Sequence, residues 1–340
     1  MMKMLTRFVH GGFAVLALLA TSAAVAQAPT EVRFAVVYAS PIESPWNTAF
    51  IQSMERIKAA KPRGLTVSFD HTESVKPADA ERVLGGYAAS GKYQIIWAHS
   101  IYSDAVASLQ KRFPDLMWVV TGGGNEALSG NGYYIDAVTH EPAYLMGVIA
   151  GLMTKSKTVG VIAAFPNQTE NIPSNAFILG AKSVRPDITA RVTYIGSWFD
   201  PPKTKESARA QIAAGADMIF STRFGAFEAA AEGNALMFGH MVDQHKVSPK
   251  VVVSSSIVRF DPAIMFAIEE WWAFKTQGKR YDAPKAQPVV YSMAQGGSAL
   301  APFYAFQERL PKDVLAKVEQ IKADILAGKV KIPVNSAPAK

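Results

Sequence analysis

The chain has 340 residues, 49% hydrophobic and 19% charged, which suits two domains with large cores and excludes an intrinsically disordered protein. Its formal charge is +7, but Lys and Arg are interspersed with acids, as in "ERIKAAKPR" and "LQKRFPD", so no basic cluster points to nucleic acid as a partner. There is no cysteine, which excludes disulfides and an N-terminal lipid carried on a Cys, and leaves stability to core burial.

Residues 1–26 read as a secretory signal peptide. Lys3 and Arg7 make a positive start, "GGFAVLALLATSAAV" a short apolar run, and Ala24 to Ala26 a small-residue end. Cleavage is expected between Ala26 and Gln27, and losing Lys3 and Arg7 lowers the charge from +7 to +5. The run is barely long enough to span a bilayer, and no later segment reaches ~18 uninterrupted apolar residues. A free, exported, periplasmic protein without a lipid anchor is the expectation.

After the signal, β-branched runs of strand length alternate with segments of helical periodicity. "VRFAVVYA", "LTVSFDH", "YQIIWAH" and "LMWVVTG" predict four buried strands, separated by amphipathic segments such as "NTAFIQSMERIKAA" and "ADAERVLGGYAA". The plan restarts after "EPAYLMGVIAGLMTK" with "TVGVIAAF", "ARVTYIGSW", "DMIFSTR", "ALMFGHM" and "KVVVSSSIV". Strand–helix alternation of this kind predicts parallel βαβ units, and hence an α/β protein with two doubly wound parallel-sheet lobes and a ligand cleft between them. Residues 27–140 with about 259–285 are assigned to the first lobe, 141–258 with about 286–330 to the second, and 331–340 to a frayed tail.

Open parallel sheets bind ligands at the carboxyl ends of their strands. Here those ends read "YASPIESPWN", "AHSIYSD", "TGGGNE", "AFPNQTEN", "GSWFDPPK", "STRFGAF" and "GHMVDQH", rich in aromatic, Gly and polar residues. Trp46 and Trp198 each stand between a strand and a helix, one in each half, where two facing rings make a slot for a planar ligand. "GYAASGKY" matches the spacing of a phosphate loop, but Tyr93 replaces its Ser/Thr and the stretch follows a helix, so a Gly-rich helix end is expected. "GGGNEALSG" lacks the third glycine of a dinucleotide fingerprint and comes at the fourth strand. His240 and His245 lack any H-E-x-x-H context, and there is neither a G-x-S-x-G elbow nor a Cys nucleophile. No metal, cofactor or catalytic residue is expected.

Several of these stretches together resemble the basic membrane protein (Bmp) family, the substrate-binding components of ABC importers related to purine nucleoside receptors. "IESPWN" is similar to the family's D-D-x-S-F-N, placing Glu43 on an acidic position, Trp46 on the stacking aromatic and Asn47 on the Asn. "EPAYLMGVIAGLMTK" and "IPSNAFILGAKSVRPDI" resemble two of its helices; "IGSWFDPPK" resembles G-S-F-x-D-P-x-K, placing Trp198 on the second aromatic and Asp200 on the acid; "FGHMVDQ" puts Asp243 on the second Asp of G-x-D-x-D-Q. The resemblance runs to about Lys329 and implies a type I periplasmic-binding-protein fold, a small-molecule ligand (a purine base or nucleoside), an ABC permease of the inner membrane as partner, and a monomer.

Departures fall on the sugar-binding groups. Ile42 stands for the first acid of the opening pair, His240 or Met241 for another, and Val258 or Arg259 for a lysine, which resembles the branch that binds a free base such as adenine. The expected ligand is then a purine base or other flat heterocycle between Trp46 and Trp198, its edge read by Asn47 and by backbone around Gly123, Asn125 and Phe224, with Glu43, Asp200 and Asp243 as further contacts. Two other readings stand beside it: a periplasmic nucleoside hydrolase using Asp200, Asp243 or Glu141, and a ligand sensor for a membrane receptor.

Overall fold

A computed structural model describes residues 28–122, 128–285 and 288–340. The signal segment and the expected contacts Gly123 and Asn125 lie outside the described residues.

The chain first builds β1 (Glu31–Tyr38), α1 (Pro45–Ala60), β2 (Thr66–Thr72), α2 (Pro77–Ala89), β3 (Ile95–His99), α3 (Ser103–Gln110), β4 (Met117–Val120) and β5 (Gly132–Ala137). It then crosses over and repeats the plan. The second run is α4 (His140–Met153), β6 (Thr158–Ala163), α5 (Gln168–Val184), β7 (Thr189–Tyr194), α6 (Pro201–Ala213), β8 (Met218–Ser221), α7 (Phe227–Glu232), β9 (Leu236–Met241) and β10 (Val252–Val258). Helix α8 (Asp261–Gln277) and β11 (Val289–Tyr291) return to the first lobe; β12 (Ser298–Leu300), α9 (Phe306–Arg309) and α10 (Lys312–Leu326) complete the second.

Each lobe has a six-stranded sheet, ordered β11-β5-β4-β3-β1-β2 and β12-β10-β9-β8-β6-β7. Stripped of the added sixth strand, both orders are 2-1-3-4-5, with a switch point beside the first strand of the lobe. All neighbours pair in parallel except β10 and β12. Burial follows position: β3 and β4 are buried throughout, whereas β2 and β7, at the sheet edges, are half exposed. This is why the central strands read as unbroken apolar runs and the edges do not.

Two boundaries differ from the sequence reading. The last crossover comes later than residue 286, because Val289–Tyr291 extends the first sheet by pairing with Ile135–Ala137. The tail is not frayed: Asn171 and Asn175 donate to the carbonyls of Ser336, Asn335 and Ala337, the Ala339 N–H donates to the Tyr194 hydroxyl, and Ile332 is buried in the second core. The stretch "GYAASGKY" runs out of α2 into a left-handed Gly91 (φ 66°), a glycine helix stop. Among the described residues, no helix is long and apolar enough to cross a membrane.

Helices α4 and α5 pack backbone to backbone through glycines. A β-carbon on Gly147 would collide with the Phe177 carbonyl, and one on Gly180 with the Tyr144 carbonyl. Gly180→Ala should therefore destabilise the protein by about 1–3 kcal/mol through overpacking. Urea denaturation checks this: the midpoint should fall at unchanged slope, and an unchanged midpoint would contradict the packing described.

Candidate functional site

The ends of β1 and β3 flank the switch point of the first sheet, and those of β6 and β8 flank that of the second. A cavity of about 50 Å³ lies where these four ends meet. Its first wall carries Ser40, Ser44, Trp46, Asn47, His99 and Gly122; its second carries Thr169, Glu170, Trp198, Arg223 and Met241.

The first wall is an aromatic platform fixed by a neutral histidine. Pro45 opens α1, a favourable first position, and the turn of helix it starts presents Trp46 and Asn47. His99 stacks on one face of the Trp46 indole (4.8 Å between centroids, 17°), and Phe260 meets it edge-on at 5.0 Å. Gly122 takes a left-handed backbone (φ 97°) that favours glycine, while a β-carbon there would make only ordinary contact with the ring, 3.7 Å from Trp46 Cζ2.

The hydrogen bonds of His99 define its tautomer. Trp97 Nε1–H, which can only donate, and the Thr121 hydroxyl point at Nδ1 (3.2 and 2.8 Å), so the ring proton sits on Nε2 and is donated to the Trp46 carbonyl at 3.3 Å. Burial pushes the His99 pKa down to about 3. Asn47, 1% exposed, spends its amide nitrogen on Ser40 O, Ser40 Oγ and Pro41 O at 2.8–3.1 Å. Two of those three are carbonyls, so the amide cannot be turned over, and its Oδ1 is buried with no partner among the described residues.

The second wall holds a buried ion pair. Glu170, fully buried in the first turn of α5, meets Arg223 at 2.8 Å. Its other oxygen accepts from the Ala164 N–H at 2.8 Å and the Thr222 hydroxyl at 2.5 Å. Arg223 also donates from Nη1 to the Trp198 carbonyl (2.9 Å) and from Nε to Thr222 Oγ1 (3.3 Å), and its guanidinium lies 5.5 Å from the Trp198 ring centre. Phe165 meets the Trp198 ring edge-on at 5.0 Å. Met241 closes the cavity between the lobes: it ends β9 of the second sheet, yet packs into the first core with a left-handed backbone (φ 72°). For a side chain without glycine's freedom, that conformation costs of order 1–3 kcal/mol.

Of the residues singled out from sequence, Trp46, Asn47 and Trp198 line this cavity. Glu43 is exposed and is not among the lining residues. Asp200 caps α6, accepting from the Lys203 N–H at 3.0 Å, ahead of Pro201 at the first helical position. Phe224 packs with Phe199 and Phe227 and is not among the lining residues. Asp243 accepts from the Tyr304 hydroxyl at 2.5 Å and the His245 N–H at 3.0 Å. Glu141 accepts from the Met293 N–H at 2.7 Å, tying the first crossover to the last. Glu170, His99 and the Arg223 side chain were not picked out from sequence. The described residues hold no group of three or more His, Cys, Asp or Glu arranged for a metal.

Two α/β lobes of one strand order around a cleft define the type I periplasmic-binding-protein fold. The same fold is seen in an ABC transporter solute-binding protein of Aeropyrum pernix K1, with a TM-score of 0.73 at 18% identity over 89% of this chain and 94% of that one. The chain belongs to the Bmp family, described as PnrA-like ABC transporter substrate-binding proteins, whose model matches residues 32–322. It is 27% identical over 90% of its length to a purine-binding protein of Brucella abortus, covering 84% of that protein. It is also 36% identical over 44% of its length to a putative ABC transporter glucose-binding protein of Haloferax volcanii, of which 38% is covered.

Burial also holds His240 neutral, with its pKa pushed down to about 3 and the charge of Arg223 adding to the effect. Folding therefore lowers both of these imidazoles from about 6.5, as burial also lowers His140, and between about pH 3 and 6.5 the unfolded chain binds more protons. Their contribution is complete above pH 6.5 and is lost as pH falls, at up to about 1.4 kcal/mol per pH unit for each histidine. In urea titrations at pH 7, 6 and 5, His99→Asn should lose about one histidine's share of this slope. An unaltered slope would contradict the buried neutral assignment.

Proposed function

We propose that the protein is a periplasmic receptor that binds a free purine base, or a related uncharged planar heterocycle, between Trp46 and Trp198 and passes it unchanged to an ABC permease. The observation that carries this reading is the make-up of the cavity. Both tryptophans line it, and Glu170 and Arg223, the charged residues of its lining among the described residues, neutralise each other. A ligand with a net charge would enter without a counter-ion, a costly arrangement in a site this buried. A neutral flat ring instead gains about 1–3 kcal/mol for each stacking contact.

The free-base version is supported by where the carboxylates go. Ribose is held through its hydroxyls, for which an unengaged carboxylate is a strong acceptor. Glu43 is outside the lining, and Asp200, Asp243 and Glu170 already accept hydrogen bonds from protein groups. The same engagement argues against a hydrolase, because Asp200, Asp243 and Glu141 each have a structural partner away from the cavity. The purine-binding relative supports the ligand class; the glucose-binding relative supplies the competing class. In this reading the signal is cleaved after Ala26, no lipid anchors the mature chain, and the protein works as a monomer.

Calorimetric titration of the mature protein with purine bases, their nucleosides and glucose tests the reading. One base should bind per chain and be recovered unchanged, with Trp46→Ala and Trp198→Ala each weakening binding roughly 5- to 150-fold. Tighter binding of nucleoside than base, preferential binding of glucose, or conversion of the ligand would contradict it.

A further inference from the structure

We propose that Arg223 is the specificity-determining residue of the cleft, and that it selects a 6-oxopurine over adenine. This rests on the purine reading above, and it departs from the adenine expected from the family resemblance. Among the charged, imidazole and amide side chains of the cavity walls, few donors and acceptors are left to offer. His99 has none: Nδ1 accepts from Trp97 and Thr121, and Nε2 donates to the Trp46 carbonyl. Glu170 has both oxygens occupied, by Arg223 on one side and by Ala164 and Thr222 on the other.

Arg223 is different. A guanidinium carries five N–H donors and no acceptor. Glu170, Thr222 and the Trp198 carbonyl each take one, from Nη2, Nε and Nη1. Among the described residues, one N–H is left on each terminal nitrogen, on a planar group that lines the cavity and is held rigid by those bonds. Asn47 is its complement. Its amide nitrogen is spent, so it offers only Oδ1, which has no partner among the described residues.

A ligand matching this set presents acceptors toward Arg223 and an N–H toward Asn47. A 6-oxopurine does so, with adjacent O6 and N7 acceptors and a ring N–H at N1. Arg with O6 and N7 is also the commonest specific contact made to guanine. Adenine places an amino group where that carbonyl would be, setting donor against donor. It would also want both a donor and an acceptor from Asn47, as in the usual Asn–adenine pair, and the donor is already used.

The test varies the ligand before the protein. Wild-type mature protein is titrated by calorimetry with hypoxanthine, adenine and 7-deazahypoxanthine, which lacks the N7 acceptor. Hypoxanthine should bind at least roughly 10-fold more tightly than adenine, and the deaza compound should lose most of that advantage. In Arg223→Lys the charge beside Glu170 remains but the planar pair of donors does not, so the preference should shrink. Adenine binding as tightly as hypoxanthine, or a preference unchanged by Arg223→Lys, would overturn this inference and leave the purine reading standing. Binding of none of the bases would overturn both.

Discussion

The buried Glu170–Arg223 pair is the interaction on which the second wall of the cleft depends. It joins the end of β6, the first turn of α5, the end of β8 and the loop that carries Trp198. Neither charge could stay there alone. Removing one partner of such a pair costs of order 3–5 kcal/mol, because the other is left buried and uncompensated. The pair is tolerable because its remaining positions are filled by the Ala164 N–H, the Thr222 hydroxyl and the Trp198 carbonyl. The same bonds fix where Trp198 stands and pair the two charges of the described lining with each other.

The two walls reach a similar end by different physics. In the first, a neutral imidazole does the positioning: His99 stacks under Trp46 and donates to its backbone, which holds the ring at one angle. In the second, charge does it. A clamp gains affinity when its surfaces are ordered before the ligand arrives, since less freedom is then lost on binding. Met241 adds a constraint across the cleft. Its side chain comes from the second sheet and packs in the first core, at the cost of a left-handed backbone, so contact between the lobes is built into the core itself.

Much of this was legible in the sequence, for identifiable reasons. Central parallel strands are buried on both faces, so β1, β3, β4, β6 and β8 announce themselves as apolar runs; β11 and β12, three residues each, are too short to carry a pattern. The family motif reached Asn47, and the strand-end rule reached Trp46 and Trp198 because bulky residues at turns are conspicuous. It passed over Glu170, which reads as an ordinary acid in the first turn of a helix, and Arg223, whose partner lies 53 residues away. His99 ends a strand without any local sign that it will stack on a residue 53 positions earlier. Asp200 was attributed to the ligand through the family motif, yet the two prolines after it are a helix start and make it a cap. In the tail, proline and polar residues suggested fraying, but two asparagines on α5 hold the backbone down.

The central claim is that a neutral, planar heterocycle is what these two walls hold. The most direct test is to purify the mature protein under native conditions, release whatever small molecule accompanies it with denaturant, and determine its mass. An uncharged purine at close to one equivalent per chain is the predicted result. A sugar, an amino acid or a phosphorylated nucleotide at that stoichiometry would contradict the account.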